Sequence, residues 1–114
     1  MIKVNVDVGK EFHFRLANRN ELQGDGAYNA VDFRNKFLHV LDSKKAWENL
    51  DKEVILDFSN VKRIGPSFAN EAFAYFMQYT SPENFLKKVE FLNIDKDVDL
   101  TIISKELKAG YCKK

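Results

Sequence analysis

Hydrophobic and polar positions alternate at the start of the chain: Ile2, Val4, Val6 and Val8 are apolar, with Lys3, Asn5 and Asp7 between them. A period of two is that of a strand with one buried and one solvated face. Gly9-Lys10 reads as a two-residue turn and Phe12-His13-Phe14 resumes the alternation, which predicts an antiparallel N-terminal hairpin. Residues 15–29 are polar, with Gly24 and Gly26 around Asp25, and read as a loop. Ala30, Phe33, Phe37, Leu38 and Leu41 then recur at helical spacing, predicting a helix over about residues 29–41. Asp42-Ser43 either ends it or caps a short continuation through Trp47 and Leu50.

The pattern changes at Val54-Ile55-Leu56-Asp57-Phe58, an almost unbroken apolar run rich in β-branched and aromatic residues. Such a run predicts a central, parallel strand covered on both faces. Ser59-Asn60 break it, and Gly65-Pro66 punctuate the chain before a helical segment. Proline suits the first helical position, where its missing N–H would have had no intrahelical partner. A helix is therefore predicted over 66–79, with Ala69, Ala72, Phe73, Phe76 and Met77 as the stripe laid on the sheet. Ser81-Pro82 reads as its stop. Val89 to Ile94 reads as the last strand, and Leu100, Ile103 and Leu107 mark a final helix that ends at Gly110, with Asp95 and Asp97 as cap candidates. The order is β-β-α-β-α-β-α, an α/β fold with a mixed four-stranded sheet: a parallel core and the antiparallel hairpin at its edge.

At 114 residues the chain reads as one domain spanning 1–114, and ten phenylalanines predict a phenylalanine-heavy core. Eighteen basic and 17 acidic residues, interspersed, give a formal charge of +1. That balance offers no electrostatic case for a nucleic-acid or anionic-membrane partner. One cysteine, Cys112, excludes an internal disulfide and a thiolate metal cluster. No segment approaches the roughly 20 apolar residues of a membrane helix, nor has the N-terminus the apolar core of a signal peptide, so a cytoplasmic domain is expected.

Open α/β sheets put their working groups at the carboxyl edge of the strands. Here that edge is expected to hold Asp57, Ser59, Gly65, Ser67, Asn70 and Glu71. A phosphate on Ser67 would meet the free N–H groups of a helix start, which makes it a switch candidate; equally, Ser67 caps or decorates that start. Asp57 and Glu71 are candidates for a carboxylate pair, or else a turn acceptor and a solvated helix residue. His13 and His39 lie in unrelated elements with no carboxylate at ligand spacing, so no metal site is expected. Gly24-Asp25-Gly26 lacks a phosphate-loop pattern, and no cofactor is expected. Phe68, Tyr75 and Tyr79 lie off the core stripe and form either an aromatic surface patch or a second packing layer.

The run from Leu56 to Phe73, L-D-F-S-N-V-K-R-I-G-P-S-F-A-N-E-A-F, resembles the signature of STAS-like domains, relatives of the bacterial anti-sigma factor antagonists. In the antagonists a strand ending in an Asp-Leu-Ser-like turn precedes an Asp-Ser-Ser-Gly helix start. Gly24 to Arg34, G-D-G-A-Y-N-A-V-D-F-R, is similar to the glycine loop and Phe-Arg helix of STAS-like sequences. The resemblance implies a small non-enzymatic, regulatory protein-interaction module in a bacterial, archaeal or phage cytoplasm. Its implied partner is a kinase-like ATPase that meets the start of the helix at 66–79. Ser67, Asp57, Ser59, Asn70 and Glu71 would form the partner-binding or phospho-switch set. The chain departs from the antagonists at the helix start, where Gly65-Pro66-Ser67 replaces Asp-Ser-Ser: the usual acceptor position is Pro66, and Ser67 alone keeps a hydroxyl. The alternative function is a small enzyme or ligand-binding domain at the carboxyl edge, with Asp57, Ser67 and Glu71 as its polar set.

Overall fold

The computed structural model describes residues 2–17 and 28–111. The glycines around Asp25 and the lone Cys112 lie outside these described residues. The elements run β1 (Val4–Asp7), α1 (Val8–Glu11), β2 (Arg15–Leu16), α2 (Ala30–Phe37), β3 (Val54–Asp57), β4 (Arg63–Ile64), α3 (Pro66–Ala72), α4 (Pro82–Lys88), β5 (Val89–Leu92) and α5 (Asp99–Ala109). Short 3-10 turns follow α2 at His39–Leu41 and Lys45–Trp47, and another, Ala74–Gln78, extends α3.

β3 is central and parallel, as its apolar run predicts: the main sheet is ordered β1-β3-β5, with Val4 opposite Val54 and Val54 opposite Val89. Its cover is uneven. Val54 and Leu56 are buried, whereas Ile55 and Asp57 are half-buried. No antiparallel pair occurs among the described residues, and the expected mixed four-stranded sheet is instead a three-stranded and a two-stranded sheet, both parallel. The hairpin fails because Gly9 belongs to a helix rather than a turn. The Asp7 carboxylate accepts the Lys10 N–H at 3.2 Å while Glu11 Oε2 accepts the Asp7 N–H at 2.7 Å, so α1 is capped from both sides. β2 then pairs with β4, Arg15 opposite Arg63 and Leu16 opposite Ile64.

The helix predicted over 29–41 is α2 plus one 3-10 turn, and that over 66–79 is α3 plus a five-residue 3-10 turn. The segment expected to stop at Ser81-Pro82 starts a new helix there: the Ser81 side chain accepts the Asn84 N–H and Pro82 takes the first helical position. The last helix does end at Gly110, whose φ of 84° with ψ of 174° lies in a region open essentially to glycine.

The core is built on phenylalanine. Phe33, Phe68, Phe73, Phe76 and Phe85 are fully buried. Rings chain from Phe12 through Phe33, Phe73 and Phe85 to Trp47 at centroid separations of 5.2 to 6.0 Å. Beside them the buried Lys88 ammonium donates to Glu53 Oε1 at 2.8 Å and to the Asn49 carbonyl at 2.7 Å. That pairing is what allows a lysine to sit inside. Among the described residues no helix is long and apolar enough to cross a membrane.

Candidate functional site at the carboxyl edge

All three strands of the main sheet end on one edge, and short polar residues lace that edge together. Asp57, the last residue of β3, accepts the Ser59 N–H at 2.9 Å and the Asn93 side-chain amide at 3.0 Å. These donors, Asn93 foremost, hold the Asp57 carboxyl below its usual range. Asn93 follows β5 at a left-handed φ of 56°, a geometry asparagine tolerates better than most residues. Asn60 donates to Asp7 Oδ2 at 2.8 Å, which joins the end of β1 to the same turn.

From there the chain crosses to the small sheet. The Val61 N–H returns to the Phe58 carbonyl at 3.0 Å, Lys62 N–H bonds the Phe14 carbonyl at 2.8 Å, and Gly65 N–H bonds the Leu16 carbonyl at 2.7 Å. The backbone of the loop is therefore pinned at three points, whereas the Ser59, Asn60, Lys62, Arg63, Pro66 and Ser67 side chains are exposed. Between this loop and the start of α5 lies a cleft of about 670 Å³. It is lined by apolar Phe58, Ile64 and Ile102 and by the charged Arg15, Lys62, Arg63, Asp95 and Asp99. Val98, 54% exposed, stands at its mouth.

The two acids are engaged in building the start of α5. Asp95 Oδ1 accepts the N–H groups of Asp97 and Val98 at 2.9 and 3.0 Å, so of the two cap candidates Asp95 organises the turn, although Val98 is the residue at the cap. Asp99 is buried, which pushes its carboxyl above the usual range; Asp95 adds to the effect, and the Ile64 N–H and Arg63 oppose it.

Of the residues expected at this edge, the structure brings Asp57 and Ser59 together, puts Gly65 in the cleft wall and leaves Ser67 exposed on the first turn of α3. Asn70 and Glu71 are elsewhere, in the interior. The Asn70 amide donates to Glu106 Oε1 at 3.1 Å and to the Gly110 carbonyl at 2.9 Å. Glu71 is no solvated helix residue: it accepts from Arg34 Nη1 at 2.6 Å and from the Tyr111 hydroxyl at 2.7 Å. Asp57 at the sheet edge and Glu71 in the interior are held by different groups, so the two do not act as a carboxylate pair. Helix α3 packs between α2 and α5, which covers the face that periodicity alone turns to solvent.

The aromatic surface patch is likewise a packing layer. Phe68 is fully buried against Phe33 and Phe12, and Tyr75 and Tyr79 both donate to Asp42 Oδ1, at 3.0 and 2.8 Å. That bond and partial burial push the Tyr79 hydroxyl up to about 12. His13 stacks on Tyr28 at 4.2 Å and His39 is exposed; among the described residues no group of three or more His, Cys, Asp or Glu gathers that could hold a metal ion. Arg15, Lys62, Arg63, Asn93 and Asp99 are the edge residues that the sequence leaves unmarked.

The family model of a STAS-like domain of unknown function (DUF4325) matches residues 29–99, which contain β3, the pinned loop and α3. No curated protein and no solved structure matches the chain. With the carboxyl-edge loop and the helix it starts inside the matched region, the chain belongs to the family of STAS-like domains.

Proposed function

We propose that this protein is a non-enzymatic regulatory interaction module that presents the loop 59–67 and the start of α3 to a protein partner. The observation that carries the reading is the loop itself, pinned along its backbone and exposed at Ser59, Asn60, Lys62, Arg63, Pro66 and Ser67. A fixed loop loses little conformational freedom on binding, which favours affinity without a deep pocket. Membership of the STAS-like family supports a cytoplasmic, bacterial setting, and the likeness to anti-sigma factor antagonists supports a kinase-like ATPase as partner.

Ser67→Asp tests it. Ser67 is exposed, and a carboxylate in the first turn of a helix is locally favourable by about 0.3–1 kcal/mol, so the variant folds. At an interface the same charge is desolvated, which costs roughly 2–5 kcal/mol when it finds no complement, and each 1.4 kcal/mol is about tenfold in affinity. A photo-crosslinker placed at position 67 identifies the partner in host cells. Its affinity is then measured for Ser67→Asp beside Lys44→Glu, an exposed residue between the 3-10 turns. Weakened binding for Ser67→Asp alone, at unchanged melting temperature, is the expected result; unchanged affinity moves the partner off this face.

A second reading, a small ligand-binding domain or enzyme at the carboxyl edge, has the cleft in its favour. Its volume, about 670 Å³, lies within the roughly 300–1,000 Å³ typical of small-molecule sites. Small-molecule turnover or binding that survives Ser67→Asp while protein binding is absent would favour it.

A further inference from the structure

The small sheet carries an unusual pairing. Arg15 of β2 and Arg63 of β4 are directly opposite in the ladder, both are exposed, and both line the cleft. Like charges set directly opposite across strands destabilise a sheet, and each strand here has only two residues with which to offset that. Lys62, adjacent to Arg63, adds a third cation to the lining, its ammonium 5.6 Å from the centroid of the half-exposed Phe14 ring.

The charges of the cleft are not balanced in the way their count suggests. Asp95 is engaged by two backbone N–H groups, and Asp99 is buried against the Ile64 N–H. By contrast, Arg15, Lys62 and Arg63 make no ion pair among the described residues. Arg15 and Arg63, partners in the ladder, each bring a guanidinium whose planar fork suits bidentate contact with a carboxylate. The half-buried Ile102 and the exposed Val98 offer apolar area to a side chain, backed by the buried Phe58 and Ile64. Arginine and aromatic anchors around an apolar centre are the composition of interface hot spots.

We infer that this cleft is the docking site for an acidic segment of the protein partner, its carboxylates on Arg15, Arg63 and Lys62 and an apolar side chain against Ile102 and Val98. The inference rests on the interaction-module reading and names the chemistry of the partner. It is carried by charge complementarity: both acids of the cleft are held by backbone N–H groups, and although Asp99 lies within electrostatic reach of Arg63, none of the three cations closes an ion pair among the described residues.

The test uses the whole chain and fluorescein-labelled peptides, one rich in glutamate with interspersed leucine and one with lysine replacing each glutamate. The acidic peptide binds and the basic one does not, and added salt weakens the complex. Arg15→Gln/Arg63→Gln lowers acidic-peptide affinity by about tenfold or more. The double variant also melts no lower than the parent, because it removes a like-charged pair. Lys62→Gln, a single exposed change, lowers affinity by a smaller factor and guards against a folding effect. Equal affinity for both peptides, no binding of the acidic one, or indifference to the arginine substitutions overturns the inference. So does displacement of the peptide by ATP or inorganic phosphate at equal concentration, which would make the cleft a small-anion site. If these peptides fail while the crosslinker at position 67 still captures its ATPase, the docking inference falls and the module stands. Acidic-peptide binding with no partner captured at position 67 supports the docking site and moves the partner contact from Ser67 on α3 to the Lys62–Arg63 side of the same loop.

Discussion

At the scale of single residues, the fold turns on a few side chains whose position in the ring network outweighs their place on a helical wheel. Phe73 is fully buried and sits edge-on to both Phe33 and Phe91 at 6.0 and 5.2 Å, although it is also where α3 gives way to the 3-10 turn. Tyr79, at the end of that turn, is half-buried and holds one bond to Asp42. Truncating a buried phenylalanine removes its transfer free energy and leaves a cavity, a loss of about 3–5 kcal/mol against the roughly 5–15 kcal/mol that keeps a domain folded. Phe73→Ala therefore shifts the urea midpoint far more than Tyr79→Ala, which loses partial burial and a solvent-accessible hydrogen bond worth about 0.5–1.5 kcal/mol. Equal shifts would mean that Phe73 is not the centre of the ring network. The stripe that marks Phe73 as core is legible in the sequence. The burial of Phe68, Asn70 and Glu71 is not, because it depends on α2 and α5 closing over the other face of α3, a tertiary fact with no local period.

At the scale of elements, the legible parts are those whose pattern is long or chemically distinctive: β3, the start of α3 at Pro66, and the end of α5 at Gly110. The misread parts carry punctuation that has two meanings. Ser81-Pro82 stops a helix and equally starts one, and here it does the latter. Gly9-Lys10 suits a hairpin turn, yet Asp7 and Glu11 supply the reciprocal caps of a one-turn helix, and a parallel β1 follows from that. Two-residue strands such as β2 and β4 are too short to show any period, so the Arg15–Arg63 pair emerges only from their pairing. The glycine at position 9 has its own cause. A Cβ there would lie 2.1 Å from the Asn60 carbonyl oxygen, so α1 packs against the carboxyl-edge turn through a gap only hydrogen fits. Gly9→Ala must displace backbone of that turn and costs roughly 1–3 kcal/mol, as overpacking does. Urea melts beside Lys10→Ala, an exposed neighbour, check it. Gly9→Ala as stable as the parent would contradict the close approach of α1 and the loop.

At the scale of the whole molecule, one buried network ties together elements that the sheet does not join. Arg34 of α2 donates through Nη1 to the carboxylate of Glu71 at 2.6 Å and to its main-chain carbonyl at 2.7 Å, while its guanidinium carbon stands 3.7 Å from the centroid of the Tyr75 ring. Tyr111 brings the segment after α5 to the same carboxylate, and neighbouring Asn70 holds the Gly110 carbonyl. Helices α2 and α3, the 3-10 turn after α3 and the segment beyond α5 thus meet at one ion pair whose side chains are 11% and 8% exposed. Desolvating two charges offsets much of their attraction, so the pair's net contribution to stability is small, yet removing one partner strands the other in the interior at a cost of about 3–5 kcal/mol. Arg34 has little in reserve, since its buried Nε finds no hydrogen-bond partner among the described residues. Arg34→Met and Glu71→Met should each lower stability by that amount, whereas the double variant, which buries no lone charge, should lose well under their sum. The measurement is a double-mutant cycle in urea, where coupled groups depart from additivity by about 0.5–3 kcal/mol. Additive losses would show that each side chain acts through its own packing and that the charge pair does not clasp α2, α3 and the end of α5. A coupled loss would explain why Glu71, one turn beyond Ser67 on the helix proposed to meet the partner, belongs to the frame that holds that helix still rather than to the surface it presents.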